Sequence, residues 1–146
     1  MPRVARSLLP DGTFHVTARG VGREPIFRDG IDYAEFARQL NVVREEYAWT
    51  LHAYCLLPNH YHLVVEAKQN DLSGGMHKLN GRYARRFNQR YDRAGHVFQN
   101  RFSSYVIESE EHFLRALEYV RANPVNAGLC DDADEWLWAA GPSDSA

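Results

Sequence analysis

The chain has 146 residues, 45% hydrophobic and 25% charged, with a formal net charge of −2. That is one-domain size with enough apolar material for a real core, and no uninterrupted apolar run approaches the ~20 residues needed to cross a bilayer. The Met-Pro-Arg-Val start lacks the apolar stretch of a secretory signal, so no membrane association and a cytoplasmic location are expected. Cys55 and Cys130 show no metal-ligand spacing and are read as reduced thiols, Cys55 within the core.

In chain order, residues 1–11 read as a loose arm ending in Pro10-Asp11-Gly12 turn chemistry. Thr13 to Arg19 alternates Phe14, Val16 and Ala18 against His15, Thr17 and Arg19, a half-buried strand. His15, on the more polar face, could join a metal site, but a satisfied structural histidine is the favoured reading. After a loop over 20–30, Asp29 or Asp32 can cap a helix to about Glu46, with Ile31, Phe36, Leu40 and Val43 inward. Trp49 to Leu57 reads as a second strand, and Pro58-Asn59 turns it into a third that ends near Ala67.

Met76, Leu79, Tyr83, Phe87 and Tyr91 recur at spacings of three and four, which predicts a helix from about Leu72 to Tyr91. A strand follows within 97–107, clearest over 102–107. Ser109 can then cap a helix that Asn123-Pro124 should stop. Trp136 and Trp138 suggest a tail folded back on the domain. The order strand, helix, strand, strand, helix, strand, helix fits an α+β fold: a ferredoxin-like, split βαβ antiparallel sheet with helices on one face. No repeat or linker interrupts it, so one domain is expected over 1–146, its core about 13–130.

The charge is unevenly distributed. From Leu72 to Ile107, Lys78, Arg82, Arg85, Arg86, Arg90, Arg93 and Arg101 face a single acid, Asp92, giving +6 locally and leaving −8 elsewhere. Basic residues interleaved with aromatics suggest a face for nucleic acid; a merely solvated helix face is the alternative.

Two constellations carry chemistry. In LLPNHYHLVV, residues 56–65, His60 and His62 share one face of a strand, while Tyr61 and Leu63 share the other. Neutral imidazole is the commonest protein ligand for divalent metals, and a pair on a rigid strand leaves coordination positions open. The pattern alone is weak, because short His-x-His motifs arise readily by chance. On the last helix the apolar stripe is Phe113, Leu114, Leu117 and Val120, and at about 100° per residue Tyr119 falls roughly 160° from Leu117. Arg115 lies one turn back and Asn123 one turn on. Tyr119 is either an exposed ring lying on Arg115 or, beside a metal site, a nucleophile for a phosphodiester, with the Asn123 carbonyl as a third ligand for Mg²⁺ or Mn²⁺.

HVTARG, LLPNHYHLVV and GHVFQNRFSSYVIESEEHFLRALEYVRANPVNAGL together resemble the HUH single-tyrosine transposases, IS200-like, and in particular the REP-associated tyrosine transposases, across about residues 13–130. By that resemblance His60 and His62 match the histidine pair, Tyr119 the nucleophile, and Asn123 the polar residue that completes the metal site. The resemblance implies a metal-dependent, site-specific endonuclease and strand transferase. It would act on single-stranded, hairpin-forming DNA through a 5′-phosphotyrosine, as monomer or homodimer. Arg82, Arg85, Arg86, Arg90, Arg93 and Arg101 would follow the DNA backbone, and Arg115 would help to hold the scissile phosphate. Tyr83, a second helical tyrosine near the basic segment, sits within an apolar stripe and is read as core. A binding module without chemistry and a phosphodiesterase using metal-bound water are the rival classes.

Overall fold

A computed structural model describes residues 12–140. Five strands, β1 (Thr13–Arg19), β2 (Thr50–Leu57), β3 (His60–Glu66), β4 (Ser103–Val106) and β5 (Ala139–Ala140), form one antiparallel sheet in the order β4-β1-β3-β2-β5. Three helices accompany it: α1 (Gly30–Glu46), α2 (Gln69–Tyr91) and α3 (Glu110–Asn126). The α+β class and antiparallel sheet are as the sequence implies.

The larger core lies between the sheet and α1 and α2. Phe14, Val16, Tyr61, Leu63 and Val65 project from the strands onto Phe36, Leu40, Met76, Leu79 and Tyr83. Phe36 is fully buried against the Phe27, Tyr61 and Tyr83 rings, so Phe36→Ala should cost about 3–5 kcal/mol. Tyr83 donates its hydroxyl to the Ile26 carbonyl, and burial raises its phenol pKa, which confirms it as a core residue. α1 begins where the sequence suggests, with Asp29 accepting from the Asp32 amide.

The third helix departs from the expected one-sided arrangement. α3 covers the opposite face of the sheet, where Ala116, Leu117 and Val120 pack on Ala53, Cys55, Leu57, Val64 and Ile107. The physical reason is that β2 and β3 carry apolar side chains on both faces, as in Leu56-Leu57 and Leu63-Val64-Val65, and the second face must also be covered. Leu114, expected in the apolar stripe of α3, is instead 56% exposed. The helix also passes Pro124 and ends at Asn126. A proline there removes one amide in the final turn, and bonds from Ala127 to Asn123 and from Leu129 to Pro124 close the end.

The loop before α1 clasps the β2–β3 turn. The Ile26 and Phe27 amides donate to the Pro58 carbonyl, the Gly20 amide to the Asn59 carbonyl, and the Asn59 side-chain amide to the Arg23 carbonyl. Gly20 is required there because a Cβ would sit 2.2 Å from the Glu24 carbonyl oxygen. The clasp holds the turn from which His60 emerges. At the other end, Trp136 donates to the Leu56 carbonyl and Trp138 stacks on Tyr33, so the tail folds back and supplies the short edge strand β5.

Candidate active site

β3 is the central strand, held between β1 and β2, with Arg19 opposite His60, and Thr17 and Cys55 opposite His62. Alternation sends His60, His62 and Val64 to the α3 face together with His15, Thr17 and Arg19 of β1. The His60 and His62 ring centroids are 5.0 Å apart. Tyr119 of α3 stands edge-on to both His62, at 5.5 Å between centroids, and His15, at 5.7 Å, and it is 51% exposed. The alternative in which Tyr119 lies on Arg115 is not what the structure holds: Arg115 pairs with Glu111 at 3.2 Å.

Each histidine is held with one nitrogen engaged. His60 Nδ1 is 2.8 Å from Asn59 Oδ1, which can only accept, so the His60 proton sits on Nδ1 and Nε2 presents a lone pair. His62 Nδ1 is 3.1 Å from His15 Nε2, whereas His62 Nε2 is buried without any hydrogen-bond partner. Burial, with the nearby His60, His15 and Arg19, pushes the His62 pKa down to about 3. Burial also lowers His15, with a contribution from His112, and lowers His60, with one from Arg19. All three are therefore neutral at pH 7, the form that binds metal.

Among the described residues no group of three His, Cys, Asp or Glu side chains forms a metal site. The residues present nevertheless fit a divalent ion in their donor chemistry: His62 Nε2 is a buried ring nitrogen with no hydrogen-bond partner, and His60 Nε2 is free of internal bonds. Asn123 is buried on α3 one turn beyond Tyr119 and could add a carbonyl oxygen.

The basic residues are divided by the structure. Arg90 binds Asp29 at 2.6 Å and Asp32 at 2.7 Å, Lys78 and Arg82 flank Glu46, Arg86 lies 3.7 Å from Glu35, and Arg93 lies 3.8 Å from Glu24. Much of the positive charge on α2 thus faces acids of α1 and its preceding loop. Arg85 and Arg101 form no ion pair among the described residues and line a groove of about 970 Å³ between α2 and residues 95–104. Asn80, Asn88, Gln99 and Phe102 share that lining, and no acid does.

Two residues of the site are under-read in the sequence. His15, for which a structural role is favoured over a place in a metal site, touches His62 and Tyr119; Arg19, which receives no role there, is exposed beside His60. The signal was present in the β1 alternation, which puts both on its polar face, but the β1–β3 register was needed to read it.

The structure thus brings a histidine pair on the central strand of an antiparallel sheet up against a tyrosine carried by a helix. The chain belongs to the IS200-like transposase family, whose model matches residues 10–123. Transposases of this kind are enzymes that act in DNA recombination. The chain is 26% identical over 118 residues to a Haemophilus influenzae protein named by inference a REP-associated tyrosine transposase. That match covers 73% of this chain and 66% of the relative, just under two thirds of its length. Among solved structures, a REP-associated tyrosine transposase bound to a REP hairpin superposes with a TM-score of 0.73 at 18% identity, covering 88% of this chain and 76% of that one. A Deinococcus radiodurans protein assigned by inference as a transposase gives 0.55 at 17% identity, covering 74% and 87% respectively. Both structures share the fold. No helix among the described residues is long and apolar enough to cross a membrane.

Proposed function

We propose that the protein is a metal-dependent, site-specific single-strand DNA endonuclease and strand transferase that works through a 5′-phosphotyrosine. The observation that carries this reading is the half-exposed Tyr119 ring standing against His62, whose second nitrogen is bare. In the reaction, Tyr119 Oη attacks the scissile phosphorus while the bond to the 3′ oxygen breaks. The phenolic proton is lost and the departing 3′ oxygen takes one up, leaving a 5′-phosphotyrosine and a free 3′-hydroxyl. Attack by that hydroxyl, or another, reverses the step and joins strands.

His60 and His62, with Asn123, would hold Mg²⁺ or Mn²⁺, which supplies charge neutralisation and orientation of the phosphate. Arg19, exposed beside His60, is placed to bind a phosphate oxygen next to the histidines. The relative seen with a REP hairpin supports hairpin DNA as the partner here. In this reading the groove beside α2 takes part of it, with Arg85 and Arg101 on phosphates and Phe102 and the amides near unpaired bases. Arg82, Arg86, Arg90 and Arg93 would contribute mainly to the long-range field, because their nearest charges are internal acids.

The test mixes the protein with short hairpin oligonucleotides and Mn²⁺ and reads denaturing gels and intact mass. A covalent adduct on Tyr119, abolished in Tyr119→Phe, is expected. Cleavage that persists in Tyr119→Phe without an adduct would show a water nucleophile instead, and binding without any cleavage would show an inactive module.

A further inference from the structure

His15 sits on β1, diagonally across from His62, and its Nε2 lies 3.1 Å from His62 Nδ1. One proton must lie between those two nitrogens, and the structure decides whose it is. If His15 donated, the His62 proton would have to sit on Nε2. That nitrogen is buried and meets no acceptor, so an N–H there would be an orphaned donor. If His62 donates from Nδ1, the buried Nε2 holds only a lone pair, and His15 Nε2 is satisfied as the acceptor. The second arrangement leaves no buried donor unpaired.

We infer that His15 is a positioning residue: it accepts the Nδ1 proton of His62 and so fixes the tautomer and ring orientation that aim a bare Nε2 lone pair into the site. The inference rests on the reading of His62 as a metal ligand. Metal-binding histidines characteristically donate their other ring N–H to a carboxylate, a carbonyl or water, and that contact raises their basicity as ligands. Here an imidazole fills the role. His15 also stands against the Tyr119 ring, so a single side chain orients one ligand and braces the candidate nucleophile. The analogous partner of His60 is Asn59, itself held through its amide to the Arg23 carbonyl. Both histidines of the pair are thereby oriented by neighbours, one on β1 and one in the clasped β2–β3 turn.

The test reads the His62 imidazole by ¹⁵N NMR without metal, and Mn²⁺ affinity by electron paramagnetic resonance, in wild type, His15→Ala and His15→Gln. Wild-type His62 is expected as the Nδ1–H tautomer. His15→Ala should give a mixture of tautomers and bind Mn²⁺ about 10–100-fold more weakly, the range for lost outer partners. His15→Gln, whose Oε1 can accept the same proton, should restore both while a merely space-filling role would not require it. A wild-type Nε2–H tautomer, or unchanged Mn²⁺ affinity in a folded His15→Ala, overturns the inference. Wild type that binds no Mn²⁺ overturns the metal reading of the site, while the tautomer still decides the role of His15.

Discussion

His62 should make this fold sensitive to mild acid, and the effect can be worked from its burial. The side chain is 6% exposed, and its pKa falls from an ordinary 6.5 to about 3, first through desolvation and then through His60, His15 and Arg19. The folded chain therefore stays unprotonated at His62 while the unfolded chain takes up a proton below pH 6.5, so stability falls as pH falls through that window. Between pH 7 and pH 5 the unfolded state gains nearly 1.5 units of proton affinity over the folded state, a loss of about 2 kcal/mol. With m near ~2 kcal/mol per molar urea, this moves the unfolding midpoint by about 1 M. The assay is urea unfolding at both pH values for wild type and His62→Gln, whose side chain does not titrate. The wild type should lose about 2 kcal/mol more than the variant on acidification. Equal losses would refute the argument, because they would mean that His62 protonates in the folded state.

Two glycines of α2 should respond oppositely to alanine. A Cβ on Gly75 would lie 2.4 Å from the Trp49 ring, so Gly75→Ala should destabilise by about 1–3 kcal/mol and shift tryptophan fluorescence, whereas Gly81 meets only the tip of Arg85 at 3.7 Å and Gly81→Ala should stabilise by about 0.5–1 kcal/mol. The hydrogen bond from Arg90 holds the Asp29 carboxyl down to about 2, so the stability it adds is present above pH 3.8 and lost as pH falls through about 2; Arg90→Gln should flatten that part of the acid-unfolding profile. Arg85→Ala and Arg101→Ala should each weaken hairpin binding and lower the salt slope by about one, read by fluorescence anisotropy at several salt concentrations, while Arg86→Ala should leave the slope nearly unchanged.

What the sequence made legible is what depends on local period. The β1 and β3 alternation, the α2 stripe, the Asp29 and Ser109 caps and the off-stripe Tyr119 all follow from spacing within one element. Pairings between elements could not be read that way. The charge count along residues 72–107 weighed the arginines only against their neighbours in the chain, while Glu35, Glu46, Asp29 and Asp32, which pair with several of them, lie on or beside α1. Arg19 escapes notice and His15 is under-weighted for the same reason, since their value comes from the β1–β3 register. The side taken by α3 was within reach of the sequence: consecutive apolar residues in β2 and β3 signal burial on both faces, and a one-sided helix layer would have left Val64 and Leu57 in water.

The order of elements along the chain also sets when the site can exist. β2 and β3 are joined by the Pro58–Asn59 turn and can pair as soon as both have left the ribosome, so His60 and His62 come into register early in synthesis. β1 cannot gain its second neighbour until β4 arrives, and Tyr119 lies later still, on a helix whose apolar face needs the finished sheet. A growing chain thus carries the histidine pair long before it carries the tyrosine. On the proposed chemistry, a prematurely ended chain that lacks α3 cannot nick DNA.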